Sequence, residues 1–150
     1  MRRLIAASAV GLCLMLLSAP PLFAADGTAA EARALLDRAV LAVKADKATA
    51  LSQFTKGENG FKDRDLYVFC VGPDGLFAAH PNPALAGHDA RTLKDSTGKA
   101  FIAEMLTVAQ EGKVAQVDYL FPRPGTKDAV PKSSFVTKIA DLVCGVGYYK

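Results

Sequence analysis

The chain has 150 residues, of which 51% are hydrophobic and 22% charged, with a formal net charge of +3 at pH 7. That length suits one folded domain with a single core, and no Lys/Arg-dense stretch offers a nucleic-acid footprint. Its two histidines and three cysteines form no metal or haem motif: His80 and His88, with Asp89 adjacent, match no common zinc spacing, and C-x-x-C-H is absent.

The chain opens on a leader. Arg2 and Arg3 form a positive n-region, Leu4–Leu17 is an apolar h-region, and Pro20–Ala24 ends on a small residue before an expected cut at Ala24/Ala25. This is the layout of a secretory signal peptide, and its apolar run is shorter than the about 20 residues of a membrane span. Cys13 would leave with it. Cleavage after residue 24 leaves residues 25–150 as one domain, and the loss of Arg2 and Arg3 lowers the net charge from +3 to +1. The expected location is the periplasm, or outside the cell where there is one membrane.

Thr28–Lys47 reads as a helix. Ala32, Leu35, Leu36, Ala39, Val40 and Val43 follow the three-four spacing of one buried face. Thr28 with Glu31 three residues on is a capping box. Ala48–Phe54 reads as a shorter second helix, broken at Lys56–Gly60.

Tyr67–Val71 is aromatic and β-branched, Gly72-Pro73-Asp74-Gly75 is turn chemistry, and Leu76–Ala79 is a second apolar run. The two form a hairpin. His80-Pro81-Asn82-Pro83 stops the second strand, because neither proline donates to a ladder. The chain is loop-like to Gly98, with helical fragments. Gly98–Glu111 is the next helix, with Phe101, Ile102, Met105, Leu106 and Ala109 as its apolar stripe and Gly112 as its stop.

Lys113–Phe121 alternates, with Ala115, Val117, Tyr119 and Phe121 on one face and Gln116 and Asp118 on the other, as in a half-buried strand. Pro122–Pro131 is a turn-rich excursion. Lys132–Ile139, with Phe135 and Ile139 on its apolar face, is the fourth strand, and Leu142–Tyr149 the fifth. Short turns between strands point to an α+β fold in which an antiparallel sheet carries its helices on one side.

His80 and Asn82, at the end of a strand and beside two stiffening prolines, offer donors and an acceptor for a small polar ligand; the alternative is a histidine that satisfies local backbone in a proline turn. Tyr119 is a core phenol or a ligand contact. Lys132-Ser133-Ser134 opens a strand where an ammonium and nearby hydroxyls would neutralise a carboxylate, unless the lysine is solvated. Tyr67 and Phe101 either wall the same cavity or are plain core. Gly145-Val146-Gly147 lies inside a strand rather than opening a helix, so it reads as close packing over the sheet and not as a phosphate loop. No G-x-S-x-G or framed histidine–carboxylate pair is present, so no catalytic residue, cofactor or metal is expected.

Taken together, YVFCVGPDGLFAAHPNPALAG, DSTGKAFIAEML, VDYLFP and PKSSFVTKIADLVCGVGYY, in that order, resemble a single Cache domain (type 2), an extracytoplasmic relative of the PAS fold. The resemblance runs from Ala29 to Tyr149. It implies a five-stranded antiparallel sheet beside a long N-terminal helix, with a helical connection between strands 2 and 3. It also implies a pocket for a small carboxylate or amine between the sheet and that connection. The chain lacks the second span and transmitter module of most members, and it has Ala140-Asp141-Leu142 where a tryptophan often precedes the last strand. The expectation is therefore a stand-alone secreted sensor that binds a small molecule and acts with a membrane receptor or kinase encoded separately. The alternative is a secreted interaction module with a vestigial pocket, dimerising through the Thr28–Lys47 helix.

In a PAS-like strand order the first and fifth strands are neighbours. Cys70 and Cys144, the cysteines remaining after processing, would then be a candidate disulfide for an oxidising compartment. Two buried free thiols are the alternative.

Overall fold

The computed structural model describes residues 26–150; the leader read over residues 1–24, with Cys13, lies outside them. Helix α1 spans Ala29–Ala45 and is capped as expected: Thr28 Oγ1 accepts from Glu31 N at 3.2 Å, and the Glu31 carboxylate accepts from Thr28 N at 2.7 Å. It ends earlier than Lys47. Asp46 adopts an extended conformation, and its side chain accepts from Thr49 N at 3.0 Å, starting α2 (Lys47–Lys56) in a new direction. An N-cap residue with extended backbone cannot also continue a helix.

Six antiparallel strands follow: β1 (Lys62–Asp63), β2 (Leu66–Val71), β3 (Phe77–Ala79), β4 (Ala115–Pro122), β5 (Ala129–Ile139) and β6 (Leu142–Tyr149). Their order is β1-β2-β6-β5-β4, with β3 also paired to β2. The five expected strands are present in PAS-like order, and the two-residue β1 is an addition. Helix α3 is Phe101–Val108, shorter at both ends than the stretch Gly98–Glu111, and a 3-10 turn covers Ala90–Thr92. The helical stripe runs out at Ala109, whose extended backbone leads into a bridge between Gln110 and Lys113. Residues 129–131, read as part of the excursion, instead extend β5, and Pro122 closes β4. Pro122 is tolerated there because β4 is an edge strand.

The β2–β6 register places Cys70 opposite Cys144, with Cα atoms 4.1 Å apart, and the two form a disulfide. That is slightly closer than the usual 4.4–6.8 Å of bridged pairs.

Alternation gives the sheet two buried faces. On one, Leu66, Val68, Cys70, Leu142, Cys144 and Val146 pack against Ala32, Leu35, Leu36, Ala39 and Val43 of α1 and Phe54 of α2. The apolar stripe of α1 is thus covered by its own sheet. On the other face, Phe69, Val71, Val117, Tyr119 and Val136 pack beneath Phe101, Ile102 and Met105 of α3. The helices therefore flank both faces rather than one. The hydrophobic stripe of α3 needed its own surface, and α1 already occupies the first. Among the described residues no helix is long and apolar enough to cross a membrane.

A bulge between Cys70 and Val71 pairs Cys70 with Ala79 but Val71 with Phe77. The extra residue lets Ala79 join the α1 core while Phe77 joins the α3 core, since a bulge re-aims side chains. His80 then follows with its ring 5.1 Å from that of Phe77 and 5.2 Å from that of Tyr67. The bulge thereby turns His80 towards the α3 face.

Candidate functional site

On the α3 face, the end of β3, the following loop and the β4–β5 turn enclose a cavity of about 340 Å³. Tyr67, His80, Asn82, Leu85, Phe121 and Arg123 line it. A narrow space of about 20 Å³, walled by Phe101, Tyr119, Phe77 and Leu93, continues from Tyr67, His80, Leu85 and Phe121. The two share one apolar wall, so together they form a polar mouth with an aromatic end.

His80 is buried. Its Nδ1 accepts from Asn82 N at 3.0 Å, which makes Nε2 the protonated nitrogen of the neutral ring. Burial, and then the positive charge of Lys132, hold its pKa down to about 4. Nε2–H has no protein acceptor among the described residues. The local-backbone role and the cavity role are thus both present, one on each nitrogen. Asn82 is exposed and mostly serves the turn: its Oδ1 accepts from Ala84 N at 3.0 Å, and its carbonyl from Leu85 N at 3.0 Å.

Lys132 is 1% exposed, not solvated. Its ammonium donates to the hydroxyls of Tyr67 (3.2 Å) and Tyr149 (3.3 Å) and lies 4.6, 4.5 and 5.3 Å from the ring centres of Tyr67, Tyr149 and Phe121. No carboxylate forms an ion pair with it among the described residues. Desolvation lowers its pKa to about 8, against the opposing pull of the Asp65 charge. It lies directly behind the cavity wall. Tyr149 donates onward to Pro122 O at 2.7 Å, whereas the Tyr67 proton has no acceptor among the described residues. Burial pushes the Tyr67 phenol well above its usual pKa, so it remains a donor at neutral pH.

Ser133 does not join this group. With period-2 alternation it points to the opposite face from Lys132, where Asp118 accepts its hydroxyl proton and Gln116 Nε2 lies 3.3 Å away. Ser134 is the serine on the cavity side, 2.8 Å from the Tyr119 hydroxyl. Tyr119 and Phe101 wall the narrow end, stacked 4.3 Å apart and within 3° of parallel. Gly145 and Gly147 also face this side: a Cβ at Gly145 would lie 2.7 Å from Phe69, and one at Gly147 2.5 Å from Lys132 Cε. The glycines make room for the site's own side chains, in keeping with close packing over the sheet.

Arg123, Phe121 and Tyr149 were not singled out as site residues from the sequence. The alternation of β4 carries Phe121, and the two-residue step from Lys132 carries Ser134. Arg123 lay in a turn-rich segment with no pattern to mark it. Its guanidinium stacks 4.5 Å above the Tyr149 ring and is ion-paired with Asp26.

The arrangement has two unengaged donors, the Tyr67 hydroxyl and His80 Nε2–H, with a buried cation behind them. Such a cavity favours a small anion with an apolar tail over a metal or a cation.

Comparison with known proteins agrees with the fold. The family model described as "Single Cache domain 2" matches residues 24–149. The methyl-accepting chemotaxis protein McpP of Pseudomonas putida is 32% identical over 92 residues, 58% of this chain but 16% of that receptor. The chain thus corresponds to a small part of this relative. A solved structure described as the periplasmic sensor domain of a chemotaxis protein is 27% identical, with a TM-score of 0.61, over 79% of this chain and 87% of that one. A Cache chemosensory domain solved to explain carboxylic acid recognition is 25% identical, with a TM-score of 0.56, over 79% and 85%. The strand order β3-β2-β6-β5-β4, the α1 packing and the match across nearly the whole described chain lead to one assignment: the chain belongs to the single Cache domain 2 family of sensor domains.

Proposed function

We propose that the protein is a non-enzymatic, extracytoplasmic sensor domain that binds a small carboxylate in the cavity beside His80. Residues 1–24 would direct its export to the periplasm and be removed, leaving one domain over residues 25–150. The observation that carries the ligand class is Lys132: a buried ammonium hydrogen-bonded only to phenols, with no paired carboxylate of its own. Leaving a charge so placed is costly, and an incoming carboxylate would relieve that cost. Its oxygens would accept from Tyr67 Oη–H and His80 Nε2–H, and its short tail would enter the space between Phe101 and Tyr119. An amine, the other ligand class implied by the family resemblance, would meet donors and a like charge instead. The relative solved for carboxylic acid recognition supports the same class. Signal output would pass to a receptor made as a separate chain.

Titration calorimetry with acetate, propionate, pyruvate and the matching amines tests this. Saturable binding of at least one acid, lost in Lys132→Met and weakened about ten-fold or more in His80→Ala, is expected. Binding of amines but not acids, or acid binding untouched by Lys132→Met, would reject it.

A further inference from the structure

Among the described residues, two buried side-chain polar atoms lack a hydrogen bond: Arg123 Nη1 and Asp65 Oδ2. Native structures rarely leave such atoms unsatisfied. Both belong to side chains that hold the same short segment, Asp26-Gly27, immediately before the α1 cap. Arg123 is ion-paired with Asp26 through Nη1, without the alignment of a hydrogen bond. Asp65 Oδ1 accepts from Gly27 N at 2.6 Å. Asp65 is buried and leads directly into β2, which carries Tyr67.

Arg123 also lines the cavity. Its guanidinium and the Lys132 ammonium each lie 4.5 Å from the centre of the Tyr149 ring, so the two cationic centres stand within about 9 Å of each other. One guanidinium is therefore within reach of two anions: the Asp26 carboxylate outside the cavity and whatever carboxylate enters it. Nη1 itself is buried, but the Asp26 side chain is 51% exposed, so water reaches the carboxylate side of the ion pair and weakens it. An exchange of partners is energetically accessible.

We propose that Arg123 is a second carboxylate-binding residue that Asp26 occupies in the empty protein, and that ligand entry draws Arg123 inward and releases the Asp26-Gly27 segment. This rests on the carboxylate reading of the cavity and adds to it both a rim contact and a route outward. Asp26 is two residues from Thr28, whose side chain caps α1. A ligand that wins Arg123 loosens one of the two ties that fix the start of that helix, while the Asp65–Gly27 tie keeps the segment from leaving the sheet.

The test uses the purified protein with propionate, acetate and pyruvate as probes, read by calorimetry and by hydrogen exchange of residues 26–32. Asp26→Asn removes the competing charge and is expected to tighten binding of the best probe by about two- to five-fold. Arg123→Gln is expected to weaken it by about five-fold or more. In the unsubstituted protein the probe should speed exchange in residues 26–32, and in Asp26→Asn that segment should exchange fast before any probe is added. If a probe binds and depends on Lys132, yet Asp26→Asn leaves affinity unchanged and exchange in residues 26–32 does not respond, the exchange of partners is refuted and the carboxylate reading stands. If no acid binds to any form, the carboxylate reading falls and this proposal with it.

Discussion

Gly147 lies against Lys132 so closely that a single added methyl group would sit 2.5 Å from Lys132 Cε and 2.8 Å from Ser134 Oγ. Gly147 pairs with Ser134 across β6 and β5, so its hydrogen faces the side chains that build the back of the site. The space for a buried lysine is created by the absence of a side chain on the neighbouring strand.

Gly147→Ala should therefore act on the site more than on the fold. The strand backbone there needs no left-handed conformation, so the cost comes from moving Lys132 and Ser134, about 1–3 kcal/mol for an overpacked interior. Carboxylate affinity should fall along with stability, because the ammonium is displaced from Tyr67 and Tyr149. Denaturant unfolding and calorimetry on the same variant check both. Unchanged affinity would mean that the position of Lys132 does not matter to the ligand.

Lys132 itself should trade stability for binding. Its pKa falls from an ordinary 10.5 to about 8 on folding, chiefly through burial. The folded state then binds its proton less readily than the unfolded state. The resulting penalty is fully present below pH 8 and fades as pH rises towards 10.5. Lys132→Met, similar in shape and uncharged, should be more stable than the parent at pH 7 by about 1–3 kcal/mol. Asp65 loses an attractive charge in that variant, which offsets part of the gain. The difference should shrink between pH 8 and pH 10.5 in denaturant melts. Carboxylate binding to the parent should weaken over the same range as the ammonium loses its proton.

The strand faces that were legible in the sequence are those whose opposite face lies in water. β4 is an edge strand with Gln116 and Asp118 exposed and Val117 and Tyr119 buried, so its alternation marked both the strand and its inner face. β5 lies between β4 and β6 with cores on both sides, and Phe135 and Ile139 described only the α1 side. Lys132 and Ser134 on the other side looked like polar strand-end residues. Their burial depends on the glycines of β6 and on α3 covering the second face. Applying the two-residue period to Lys132 would have chosen Ser134 over Ser133. For Arg123 no local rule was available: its place is set by how the β4–β5 turn meets Asp26, 97 residues earlier in the chain. The hairpin and the lip at His80 were legible because turn chemistry and proline act locally. The bulge that aims His80 inward was not, since it arises from pairing.

His80 should make the protein acid-sensitive in a window set by its own environment. Its folded pKa is about 4 against an ordinary 6.5, so between those values the unfolded chain binds the proton and the folded one does not. Stability from this source is intact above pH 6.5 and declines as pH falls towards 4, by roughly 2–3 kcal/mol in total. His80→Gln has no ring to protonate, so its stability should fall less steeply than the parent's from pH 6.5 to 4. Urea unfolding at half-unit pH steps checks the difference between the two curves. Parallel curves would mean that the ring titrates normally, and would place it in water rather than against Tyr67 and Phe77.

The Cys70–Cys144 disulfide should stabilise the fold without entering the site. Both residues are fully buried beneath α1 with Val68 and Val146, on the face of the sheet away from the cavity. They are 74 residues apart in sequence, and closing a loop of that length restricts the unfolded chain strongly, with typical effects of about 2–4 kcal/mol. The double variant Cys70→Ala, Cys144→Ala should lose stability of that order and still fold, because β2 and β6 keep their four registered pairs, Val68–Val146 to Val71–Val143. Carboxylate affinity should be nearly unchanged, since Tyr67 and Phe69 alternate to the other face. Thermal unfolding with and without reductant, and calorimetry on the double variant, separate the two effects. A large loss of affinity in a variant that remains folded would show that the α1 core and the cavity are mechanically coupled through the sheet, and the disulfide would then be part of the sensing machinery.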